Sequence, residues 1–176
     1  MRYEILPGLP GVGPLPEQFS STGQGHHSEG FVIKFTSSSG ESWVGNFQPA
    51  YTQLFKVVDP WGQHILVVAG GQAYEVDPDS RQCVNTFGGS IEYLERVPDM
   101  NATIIGNGLW LESWGTNLNW KTRRIAWDGM CDLRIEGERL FGTALAPHED
   151  AAIPFWVDLT SGDVHYGSYP LDLPYQ

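Results

Sequence analysis

Positive charge is what this chain has least of. Ten Lys and Arg stand against 21 Asp and Glu, leaving a formal net charge of −11. A nucleic-acid partner is thereby excluded as an expectation, because phosphate neutralisation needs clustered basic residues. An anionic membrane surface is excluded on the same ground. Cysteine is almost absent too. Cys83 and Cys131 stand 48 residues apart among apolar neighbours, where a free thiol behaves as a small hydrophobe; a disulfide scaffold or a clustered metal site would need more of them. No run is long enough to span a bilayer, and Met1-Arg-Tyr-Glu-Ile-Leu-Pro7 does not read as a signal peptide. The expectation is a cytoplasmic protein.

What is plentiful is glycine, proline and aromatic residues: 21 Gly, 12 Pro, 7 Trp, 7 Tyr and 8 Phe in 176 residues. Aromatics fit pleated, half-buried surfaces, and glycine and proline punctuate turns. The composition predicts an all-β chain. Its first thirty residues differ from the rest. Pro7, Pro10, Pro14 and Pro16 interleave with Gly8, Gly11 and Gly13, a pattern of extended or turn backbone. Residues 1–30 therefore read as an arm, with Gln18 to Gly30 continuing as loop and Arg2–Leu6 available as an extra edge strand. Residues 31–176 read as the β-repeat domain.

One motif recurs through that domain. Phe35-Thr-Ser-Ser-Ser39-Gly40-Glu41-Ser-Trp43 and Val157-Asp-Leu-Thr-Ser161-Gly162-Asp163-Val-His165 both read as strand, Ser-Gly turn, acid and strand. Tyr74-Glu-Val76-Asp77-Pro-Asp79-Ser80-Arg81 repeats it more loosely, and Leu109 to Trp127 keeps only its closing aromatic. The closing aromatics Phe47, Phe87, Trp127 and Tyr169 are separated by 40, 40 and 42 residues. Apolar runs beginning at Ile65, Ala102 and Leu140 recur at nearly the same period and read as buried second strands. The strands before them are more amphipathic, most cleanly where Cys131, Leu133 and Ile135 alternate with Asp132, Arg134 and Glu136. Tyr51 to Val58 forms the corresponding strand of the first complete unit, ended by the turn composition Asp59-Pro60-Trp61-Gly62.

Each unit thus has four strands, giving about three and a half four-stranded antiparallel repeats. Such units of about forty residues resemble β-propeller blades. The resemblance covers residues 31–170 and implies a partial or small propeller, with the N-terminal arm needed to complete the first sheet. A twisted meander curling into a barrel is the alternative. Neither architecture carries a function with it.

Candidate chemistry is sparse. His26, His27, His148, Glu149 and Asp150 are the His and carboxylate clusters that a metal could recruit. Ser39 and Ser161 lie inside a repeated turn, and no Gly-x-Ser-x-Gly elbow occurs. Glu41, Asp77, Asp158 and Asp163 recur at turn positions, which suits capping better than acid–base work. Trp61, Trp114 and Trp120 fall in or beside turns, where an exposed indole marks a contact surface. Two readings follow. The first is a non-catalytic acidic scaffold that binds a basic protein through these tryptophans, as an immunity-type inhibitor does, with no cofactor. The second is a metal-dependent enzyme or metal-binding protein using the loop histidines and acids.

Overall fold

The computed structural model describes residues 2–22, 28–115, 118–147 and 152–170. The chain is all-β and forms two compact units, Met1–Ile91 and Glu92–Gln176, each built of two four-stranded sheets. None of the four sheets closes on itself, so the meander barrel is not the architecture. No helix among the described residues is long and apolar enough to cross a membrane.

The first sheet of unit 1 takes its two central strands from β3 (Phe31–Thr36) and β4 (Ser42–Phe47), paired antiparallel from Phe31↔Phe47 to Thr36↔Ser42. The arm completes it on both sides. β1 (Arg2–Ile5) adds antiparallel to β3, and β2 (Glu17–Phe19) adds parallel to β4. Gln18 and Phe19 are therefore strand, not the loop that their polar surroundings predict. The reason is tertiary: Phe19 stacks on Phe47 with ring centroids 4.7 Å apart and joins the core of the unit. A lone aromatic in a polar stretch carries no period from which this could be read.

The second sheet runs β5 (Phe55–Trp61), β6 (His64–Ala69), β7 (Gln72–Asp77) and β8 (Gln82–Gly88) in chain order. Residues Ile65 to Ala69 are wholly buried, as a continuous apolar run between glycines requires. The expected strand Tyr51–Val58 is displaced. Tyr51 is 95% exposed, and the strand starts at Phe55. Asp59 and Pro60 do not form the turn; they lie inside the strand, joined by a cis peptide, where the register shifts between Val58 and Trp61. Proline lacks an N–H to give to a ladder, and an irregular outer strand tolerates that loss. Gly62 makes the turn instead, with φ 60°.

In unit 2 one sheet holds β9 (Tyr93–Val97), β10 (Ala102–Gly106), β11 (Leu111–Gly115) and β12 (Asn119–Lys121), all antiparallel. The other holds β13 (Met130–Glu136), β14 (Arg139–Leu145), β15 (Ala152–Asp158) and β16 (Val164–Tyr166). β10 is buried throughout, as expected. β14 is not: Leu140, Gly142 and Ala144 face the core while Phe141 and Thr143 are half-exposed. β13 keeps the predicted phase, but its register shifts between Cys131 and Arg134, and Asp132 adopts φ 54°. Asp132 is thus an exposed bulge residue in left-handed backbone, a conformation that Asp tolerates better than most side chains.

Each unit has its own apolar cluster. In unit 1 it gathers Ile33, Phe35, Trp43, Phe47, Ile65, Val67, Tyr74 and Val76; in unit 2 Ile104, Leu111, Ile125, Leu140, Phe155, Val157 and Leu159. The closing aromatics are not equivalent within these clusters. Phe47 is fully buried on β4, Phe87 lies on the outer strand β8, and Trp127 and Tyr169 pair with each other outside any strand, centroids 4.6 Å apart.

Candidate functional site

The repeated turn is the local device on which the rest is mounted. In β7–β8 the Asp77 carboxylate accepts from the Asp79 backbone N–H at 2.9 Å and from the Ser80 hydroxyl at 2.7 Å. In β15–β16 the Asp158 carboxylate accepts from the Thr160 N–H at 2.8 Å and from its hydroxyl. These bonds favour the ionised forms and hold both carboxyls below the usual range, the Ser80 and Thr160 hydroxyls contributing most. The recurring acids at 77 and 158 are turn caps.

In each unit, a tryptophan from the neighbouring sheet clamps this turn. Trp43 Nε1 donates to the Pro78 carbonyl at 2.9 Å, and Trp120 Nε1 donates to the Leu159 carbonyl at 2.8 Å. Pro78 follows Asp77 as Leu159 follows Asp158, so the two clamps are the same contact made twice. In unit 1 the turns also meet directly. The Ser38 amide and hydroxyl donate to Asp79 at 2.7 and 2.9 Å, and Arg81 pairs with Glu41 at 3.0 Å.

Beside this clamp unit 1 carries an open groove of about 560 Å³, lined by Gln18–Ser21 on one side and Arg81–Thr86 on the other. Its first wall is β2, fixed by buried Asn46, which donates to the Gln18 side chain at 2.9 Å and accepts from the Gly30 N–H at 2.9 Å. Its second wall is β8. Tyr74 links the two: its hydroxyl donates to Gln48 O at 2.7 Å, receives a bond from the Ser21 backbone and lies near Cys83. Burial pushes that phenol up to about 12, with Cys83 adding to the shift. The Cys83 thiol is also raised, chiefly by burial, so at neutral pH it is not the nucleophilic thiolate. Among the described residues of the lining Arg81 is the charged one, and it pairs with Glu41. Val84 stands 51% exposed in the second wall.

The residues singled out from the sequence are dispersed. His26, His27, His148, Glu149 and Asp150 lie outside the described residues. Trp61, in unit 1, is half-buried and stacks on Phe87 with centroids 6.4 Å apart. Trp114 and Trp120 belong to unit 2 on β11 and β12, both half-buried. Trp120 spends its N–H on the clamp and packs over Gly162. Cys83 and Cys131 are free and half-buried. Among the described residues no group of three His, Cys, Asp or Glu is placed to hold a metal. His64 Nδ1 meets Glu75 Oε1 at 2.7 Å, and neither residue is among those lining the groove.

Two features escaped the sequence. The groove did, because its walls, Gln18–Ser21 and Arg81–Thr86, are far apart in the chain and its lining is almost uncharged. So did an exposed ladder on the second sheet of unit 2, where Arg134, Phe141, Trp156 and His165 stand in one cross-strand row. His165 stacks on Trp156 at 3.7 Å and 7°, and the Arg139 guanidinium lies over the same indole at 4.4 Å. Two groups centred on one ring cannot share a face, so both faces of Trp156 are taken. Phe155 and Val157 are buried on the other phase of β15, and strand pairing is what brings the members of the row together. Compared with protein-family models, curated proteins and solved structures, the chain has no match.

Proposed function

We propose that this protein is a non-catalytic, acidic, propeller-like β-repeat scaffold of the cytoplasm that binds a basic protein. The groove of unit 1 carries the reading. It is concave, bounded by two strands rather than by mobile side chains, and offers backbone, hydroxyl and amide groups without a convergent acid, base and nucleophile. Sites lined this way bind rather than transform. Unit 1 has eight acids against four bases, counted over residues 1–91, and an acidic surface steers a cationic partner, raising its association rate. Trp61, Trp114 and Trp120 are offered as additional aromatic anchors, each to be tested by itself.

Ser21 is exposed at the groove wall, so Ser21→Trp fills the space while leaving the core intact. The test is affinity capture with the wild type and Ser21→Trp in parallel, followed by association kinetics on the captured species. The expected result is a basic protein held by the wild type and lost from the variant. Its association should slow as salt rises from about 0.05 M to 0.5 M and the Debye length falls from roughly 14 Å to 4 Å. Identical captured sets would remove the groove as the binding site.

A further inference from the structure

We infer that β8 is the docking element, and that it takes up an extended, proline-free, lysine- or arginine-bearing segment of the partner as a fifth strand of its sheet. This rests on the groove reading above and fixes its mode. The four sheets have eight outer strands, and they differ in how their edges are protected. An open strand edge invites pairing, and proteins blunt such edges with short length, charge, proline or bulges. β2, β12 and β16 are three residues long. β1 carries Arg2 and Glu4, and β9 carries Glu95 and Arg96. β5 contains Lys56, Asp59 and the cis Asp59–Pro60 bond. β13 combines three charges with a bulge.

β8 alone among these is long and carries neither a charge nor a proline. Gln82–Gly88 is seven residues with no charge and no proline, and five of the seven are exposed. Its single irregularity is a bulge in which Val84 has no partner, between Cys83 opposite Val76 and Asn85 opposite Glu75. At that bulge an exposed apolar side chain, Val84, stands in the groove lining. The groove is lined by this strand on one side and by Gln18–Ser21 on the other. Its volume falls in the range of about 300–1,000 Å³ typical of small-ligand sites, which suits one extended chain and not a folded domain. In strand addition the main chain supplies affinity and alternate side chains supply specificity. The charge of the segment follows from the two facing turns at the Arg81 end, which carry three carboxylates, Glu41, Asp77 and Asp79, against one arginine, itself paired with Glu41.

The experiment pans random peptides of about ten residues, long enough to span the seven of β8, against the full chain, with Ser21→Trp as counter-selection. Amide hydrogen exchange is then followed by NMR on the wild-type protein with the selected peptide. Expected are peptides bearing Lys or Arg and β-branched residues without internal proline. Exchange at the outward amides of Gln82–Thr86 should slow by about tenfold or more, and N-methylation of alternate peptide residues should weaken binding by about tenfold or more. Peptides that bind with β8 exchange unchanged, or that bind equally well when N-methylated, would overturn strand addition and leave the groove reading standing. Failure of any peptide to distinguish the wild type from Ser21→Trp would overturn both. Protection of β8 that rises with protein concentration alone, with a dimer in sedimentation, would assign the edge to a second copy and overturn the peptide proposal.

Discussion

The two units contain the same clamp, built on turns that share an Asp and a Ser but differ at the left-handed residue. In unit 1 the left-handed position of the turn is Arg81, at φ 59°; in unit 2 it is Gly162, at φ 80°. The difference follows from what lies above. A Cβ on Gly162 would sit 2.8–3.0 Å from the Trp120 ring, closer than real side chains approach. Arg81 is under no such constraint from Trp43 and uses its side chain to reach Glu41 instead. A non-glycine residue in left-handed backbone costs about 1–2 kcal/mol, and unit 1 carries that cost with an exposed ion pair of small value in return. The same turn is thus limited by backbone strain in one unit and by packing in the other.

The largest effects should come from the two cores. Val67→Asp and Ile104→Asp each place an unpaired charge at a fully buried position of one unit, at a cost of about 3–5 kcal/mol or more. Loss of the cooperative melt is expected from both. A folded Val67→Asp beside an unfolded Ile104→Asp would show that the two clusters are unequal.

Next comes the turn itself. Gly162→Ala meets both strain and the Trp120 ring and should destabilise by about 2–4 kcal/mol. Gly40→Ala, at φ 87° with open space around its Cβ, meets strain alone and should cost about 1 kcal/mol. Chemical denaturation of the pair measures the difference; equal losses would mean that Trp120 moves aside freely.

Trp43→Phe and Trp120→Phe remove one hydrogen bond from each clamp and leave a carbonyl without its donor. A loss of about 1–3 kcal/mol is expected for each. Closely similar values in urea titrations would establish that the clamps are energetically as well as geometrically equivalent.

The smallest effect is on pH dependence. Asp77 and Asp158 have folded pKa values below their unfolded ones, so their contribution is present above the ordinary carboxylate pKa, about 3.9, and lost as pH falls through the lower folded value. Asp77→Asn and Asp158→Asn should each flatten the acid limb of a stability–pH curve. An unchanged limb in one variant alone would show that its cap contributes nothing there.

Legibility in the sequence tracked how local the cause was. Period-two alternation and the glycine-bounded run at Ile65–Ala69 announced strands and burial because both depend on neighbours two residues away. The turns capped by Asp77 and Asp158 were equally readable, since an Asx-type cap closes within three residues; Glu41 pairs with Arg81 instead. The count of four strands per sheet also followed. What misled was the aromatic spacing: Trp127 and Tyr169 stand near the right interval for reasons of mutual stacking, while the residue equivalent to Trp43 is Trp120. Nor did composition place Asp59-Pro60 correctly, because turn residues also serve in an irregular outer strand.

By itself, then, the sequence determined an all-β chain, its acidity, its repeated hairpin and most of its strand phases. Each of these is set by covalent neighbours or by summed charge. Tertiary structure alone decided that Glu17–Phe19 would become a parallel strand, that Trp120 and not Trp127 would clamp a turn, and that β8 would be left open beside Gln18–Ser21. Those outcomes depend on pairing between segments tens of residues apart. No local period encodes such pairings; they are chosen by which arrangement buries Phe19 and Trp43 and packs Trp120 against its core while satisfying the backbone groups around them.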